Sequence, residues 1–170
     1  MKRPRDSQRT RFWKAFRAWD DRHEVGDNLV GGPDGAQKFL EKIESSRWFK
    51  SEGFTRLVYR TKRGKKDSIK FSSPTIIRCN EKTTIPNLLK IYAHILQPSN
   101  TAWHGREYCK ILLDLVERWT GIDDDSLRVH FTNEKVKYRL KRQLSEVTKQ
   151  SARMRLAKIN STFMKELKDL

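Results

Sequence analysis

The sequence predicts an α+β fold, and three observations carry that expectation. Apolar residues recur at three- and four-residue steps near both ends and through the middle. A block of alternating, strand-like sequence occupies roughly residues 54–79. Turn-forming clusters separate these segments, and no repeat or low-complexity tract interrupts them. At 170 residues the chain suits one domain with an appendage. Its 36% hydrophobic and 34% charged residues imply a modest core under a densely charged surface.

The elements follow in order. "RTRFWKAFRAWDDRH" carries Phe12, Phe16 and Trp19 at helical spacing, which predicts a first helix over about 7–21. "GDNLVGGPDG" is a turn cluster, after which Pro33 and Asp34 open a helix with Phe39, Leu40 and Ile43 as its stripe. "FTRLVYRT", "SIKFSS" and "PTIIRC" read as strands, and the Gly-centred "KRGKKD" between the first two reads as a β-hairpin turn. Two helices come next, from about Pro86 to Gln97 and from about Gly105 to Trp119, with Pro98 and Gly121 as stops. A polar loop leads to a short predicted strand, "LRVHF". The last segment sets Ala152, Leu156, Ile159, Phe163, Leu167 and Leu170 on one stripe, an amphipathic helix that docks on its own domain or on a protein partner.

Composition narrows the function classes. No apolar run approaches the ~20 residues of a membrane span, so no membrane partner is expected. The polar start "MKRPRDSQRTR" is unlike a secretory signal, and the expected location is the cytoplasm. Cys79 and Cys109 stand far apart and make no CxxC clip. The strongest global signal is a net charge of +16, with 37 Lys and Arg against 21 acids, which points to a polyanionic partner, DNA or RNA. The nucleic-acid-binding residues expected from local clustering are Arg60, Lys62, Arg63, Lys65 and Lys66, then Lys137, Arg139, Lys141 and Arg142. Trp48, Phe49, Tyr59 and Tyr138 lie nearby and could stack on unpaired bases, although core packing is the commoner use of such residues.

The stretch "NLLKIYAHILQPSNTAWHGREY" holds two of the four histidines, His94 and His104. A zinc hydrolase helix would place a second histidine four residues before His94, and a glutamate base after it. Position 90 is lysine, a cation that repels metal, and position 91 is isoleucine, which accepts no proton. His104 and Glu107 have i, i+3 spacing, so His94, His104 and Glu107 could assemble a structural metal site. The alternative, which is favoured, is a pair of histidines hydrogen-bonded inside a core. Zinc is thus admitted but not expected, and no other cofactor is implied.

These residues resemble a known family. "KIYAHILQPSNTAWHGREYCKILLDLVERWTG" is similar to the His-Glu-x-x-His helix, loop and Ala-Trp-His-Gly segment of small metallohydrolases from actinobacteria and their phages, themselves akin to SprT-like zincin metallopeptidases. "RPRDSQRTRFWKA", "SRWF" and "VKYRLKRQLS" extend the likeness over nearly the whole chain. The resemblance implies a zincin-like α+β domain over residues 1–140, with a small antiparallel sheet, followed by a basic amphipathic helix over 141–170. It places His94 and His104 at zinc-ligand positions, and Lys90 and Ile91 where the first ligand and the catalytic glutamate would stand. The expected protein is therefore a metallopeptidase-like pseudoenzyme that binds nucleic acid, as relatives of this type work at DNA. Two alternatives stand beside it: a structural subunit of a phage or nucleoprotein assembly, in the host cytoplasm or the virion, and a zinc peptidase with an unorthodox site.

Overall fold

A computed structural model describes residues 4–22, 28–54, 58–122 and 124–138. The predicted carboxy-terminal helix over 141–170, and Arg139 before it, lie outside the described residues, and Lys141 and Arg142 with them. The architecture is α+β, with a small mixed sheet and several helices: α1 (Arg9–Arg22), α2 (Gly32–Ser45), α3 (Arg47–Ser51), β1 (Tyr59–Arg63), β2 (Ser68–Lys70), β3 (Thr75–Cys79), α4 (Ile85–Leu96), α5 (Arg106–Trp119) and α6 (Asp124–Asn133). None of the described helices is long and apolar enough to cross a membrane. The chain divides into two units, one contiguous (Gly26–Tyr92) and one made of Met1–Val25 with Ala93–Leu170.

In the contiguous unit, α2 starts at Gly32 after a left-handed Gly31, with Pro33 in its first turn, and it buries Ala36, Phe39, Leu40 and Ile43. Those positions form an i, i+3, i+4, i+7 stripe that packs on β1 and β3. Ser46 ends α2 and caps α3, its hydroxyl accepting from the Phe49 amide at 3.2 Å.

The sheet departs from the expectation in two ways. It is mixed rather than antiparallel, in the order β1-β3-β2, with β1 parallel and β2 antiparallel to β3. Consequently "KRGKKD" is not a hairpin turn. Residues 64–67 carry the chain from β1 across the end of β3 to β2 on its far side. Gly64 makes that crossing: a Cβ there would lie 2.7 Å from Cβ of Arg78. Its amide donates to the Cys79 carbonyl at 2.9 Å, prolonging the β1–β3 ladder by one residue. Thr83 Oγ1 donates to Asp67 Oδ1 at 2.5 Å and fixes the far end of the crossing.

The second unit is helical. Phe12, Ala15, Phe16 and Trp19 of α1 are buried, and α1 packs on α6. The Trp19 indole donates to Ser126 Oγ at 2.9 Å across that contact. α5 is buried on most sides, with Tyr108, Leu112, Leu115 and Val116 inside, and it also packs on α6. Gly121, at φ 70°, ends it as expected. The predicted strand "LRVHF" is instead part of α6. Leu127 and Phe131, one helical turn apart, are fully buried, whereas Val129 between them is 53% exposed.

Candidate functional site

The last turn of α4 and the start of α5 bring His94 and His104 together, with ring centroids 5.0 Å apart and planes nearly perpendicular at 83°. Aromatic rings pack around both. Tyr108 stacks on His94 at 4.2 Å, Phe12 stacks on His104 at 4.7 Å, and Trp103 meets His94 edge-on at 5.2 Å. His94 Nδ1 lies 3.4 Å from the Gln97 amide nitrogen.

His104 is held by residues that sequence patterns did not single out. Asp6 Oδ2 lies 2.5 Å from His104 Nδ1, and both side chains are largely buried. A carboxylate oxygen accepts here, so Nδ1 carries the proton of this contact. Gln8, 5% exposed, donates from its amide to the His104 carbonyl and, at 3.0 Å, to the Lys137 carbonyl. Its Oε1 accepts from the Lys137 amide at 2.8 Å. One side chain thus ties the start of α5 to the segment leaving α6. Both residues precede α1 in a polar stretch off its apolar stripe, and only the tertiary fold reveals their role.

Burial disfavours ionisation of the Tyr108 hydroxyl and the Cys109 thiol in this cluster. Burial, then the neighbouring Cys109 and Asp6, hold the Tyr108 hydroxyl well above its ordinary range. Burial, then Asp6, push the Cys109 thiol far up, and its S–H points at the His104 carbonyl at 3.6 Å. Glu107 opens α5 in its first turn. Among the described residues no group of three or more His, Cys, Asp or Glu side chains is arranged to hold a metal ion. The two imidazoles are thus adjacent without a third ligand in a metal-holding arrangement among the described residues. On α4, the Lys90 ammonium donates to Asn87 Oδ1 at 2.6 Å, and Ile91 is buried at 5% exposure.

The contiguous unit carries a different arrangement. Register pairs Arg60 with Ile76, Lys62 with Arg78, Ser68 with Arg78 and Lys70 with Ile76. Paired residues project to one side of a sheet, so Arg60, Lys62, Lys70 and Arg78 share a face. All four are exposed. Ser68 and Ile76 complete that face, which contains no acidic residue. Among the described residues, none of the four cations has an ion-pair partner. Lys65 and Lys66 are exposed on the crossing beside it.

The opposite face, with Tyr59, Ile77 and Cys79, is buried. Arg63 belongs to that side by alternation, and its guanidinium meets Glu81 at 2.8 Å. The Glu81 carboxylate is so near Gly32 that a Cβ there would come within 2.7 Å, which puts the ion pair at the positive end of α2. Arg63 is thus engaged structurally, unlike its neighbours. Burial, then Asp67 and Glu81, raise the Cys79 thiol to about 11.

Clustering in the sequence thus identifies Arg60, Lys62, Lys65 and Lys66 but misses Lys70 and Arg78, which only strand register adds. Lys137 is exposed in the helical unit. The aromatic residues considered for stacking are mostly core: Trp48, Phe49 and Tyr59 are 8%, 3% and 8% exposed. Tyr138 packs on Phe131, with ring centroids 5.8 Å apart. The chain matches no protein-family model, no curated protein and no solved structure.

Proposed function

We propose that this protein binds nucleic acid through the outward face of its mixed sheet. The observation that carries the reading is the register that gathers Arg60, Lys62, Lys70 and Arg78 on one exposed, acid-free face. Exposed cations without acidic partners exchange condensed counterions for phosphates, and this supplies affinity that is steep in salt. The net charge of +16 favours the same partner at long range.

The fold reading that goes with it is a zincin-like, SprT-like domain whose peptidase apparatus has been lost. It is supported by the adjacent imidazoles of His94 and His104, and by Asp6 standing behind His104 as carboxylates stand behind histidine ligands in metal sites. Lys90 and Ile91 occupy the places of the absent ligand and base.

The test is a salt titration of the full chain on labelled nucleic acid. Log affinity should fall linearly with log salt, and Arg60→Ala with Lys62→Ala should reduce that slope by about two. Weak binding that ignores both salt and these substitutions would defeat the reading.

A further inference from the structure

Resting on that reading, we infer that the partner is a double-stranded phosphate backbone, gripped on both sides of a groove without stacking on the bases. Two features of the sheet face argue for it, and both are absent from the sequence taken linearly.

The first is the layout of charge. Proteins that follow a single strand line its path with a track of cations. Here the cations spread across all three strands: Arg60 and Lys62 on β1, Arg78 on the central β3, and Lys70 on β2 at the other edge. With neighbouring strands about 4.8 Å apart, the two edges stand about 10 Å from each other. Long, flexible Lys and Arg side chains at that separation match two phosphate rows across a groove about 12 Å wide. A single row would leave one edge without a counterpart.

The second is the absence of a stacking platform. Sequence-tolerant binding of single strands depends on aromatic rings laid under successive bases. The outward strand positions are Arg60, Lys62, Ser68, Lys70, Ile76 and Arg78, none of them aromatic. Tyr59, the only aromatic residue in the three strands, lies on the buried face at 8% exposure. Phe71, 48% exposed, follows Lys70 just beyond the end of β2 and is the residue through which stacking could still act. It therefore belongs in the test.

The experiment compares duplex DNA, duplex RNA and single strands of matched length, titrated with the full chain by fluorescence anisotropy at several salt concentrations. The wild type is set beside a Lys70→Ala/Arg78→Ala double variant and Phe71→Ala. The expected result is affinity for duplex DNA, whose major groove has this width, about tenfold above that for single strands. The double variant should lower the duplex salt slope by about two, and Phe71→Ala should leave binding unchanged. Equal or tighter binding of single strands, or a clear loss with Phe71→Ala, overturns the duplex assignment while leaving nucleic-acid binding in place. Absence of salt-dependent binding to every probe, or sheet variants indistinguishable from wild type, removes both.

Discussion

Asp6 and His104 form a buried hydrogen bond between the segment preceding α1 and the residue two before α5, at 2.5 Å from Oδ2 to Nδ1. The contact places a proton on His104 Nδ1 and fixes its ring against Phe12. Asp6→Ala strands a buried imidazole N–H and should cost about 1–3 kcal/mol. Asp6→Asn keeps an acceptor and should cost less. Urea-unfolding midpoints of the two variants check this: if both equal the wild type, the contact contributes nothing to stability.

Gln8 should be at least as sensitive. Its amide satisfies both the N–H and the C=O of Lys137 as well as the His104 carbonyl. Gln8→Ala removes these together and is expected to lower stability by about 2 kcal/mol. Gln8→Glu retains the acceptor toward the Lys137 amide but has no N–H for the carbonyls, so it should not rescue. Hydrogen exchange at the Lys137 amide offers a local readout, with faster exchange expected in Gln8→Ala, which removes its acceptor, than in Gln8→Glu, which keeps one.

The helices α1 and α2 are legible because each buries one stripe, and periodicity reports a stripe directly. In contrast, α4 and α5, buried on most sides, are legible from their long apolar runs and the stops at Pro98 and Gly121. The strands were legible as strands, yet their pairing was not. "KRGKKD" has the composition of a hairpin turn, and nothing local reveals that β3, later in the chain, inserts between β1 and β2. α6 was misread because Leu127, Val129 and Phe131 alternate as well as they form a helical turn, and only burial decides between the periods. At the site, His94 and His104 were visible as residue types at a spacing. Asp6 and Gln8 were not, since a polar residue in a basic tail acquires meaning only from what it meets.

Gly35 provides a steric test of the α2 entry. A Cβ there would stand 1.7 Å from the Val30 carbonyl oxygen, a backbone atom that cannot swing away. Gly35→Ala should therefore destabilise by about 3 kcal/mol, although alanine is the better helix former. A thermal melt in which Gly35→Ala matches or exceeds the wild type would contradict this entry geometry.

Alkali should weaken the fold through three buried acids. Cys79 moves from its ordinary 9.0 to about 11, and Tyr108 and Cys109 are raised as well. Each is held neutral in the folded state, so the unfolded chain releases these protons first. Their contribution is complete below about pH 9 and declines as pH climbs through the folded values. Urea midpoints measured upward from neutral pH should fall, and Cys109→Ala should flatten part of the decline. At neutral pH both thiols should resist iodoacetamide until urea is added.

The division of the chain has a consequence for synthesis. Residues 26–92 form a contiguous unit and leave the ribosome before α5 and α6 exist. α1 precedes this unit in the chain but packs on α6, so Phe12, Phe16 and Trp19 reach their burial partners only after everything between has been translated. The middle of the protein can therefore mature ahead of its beginning.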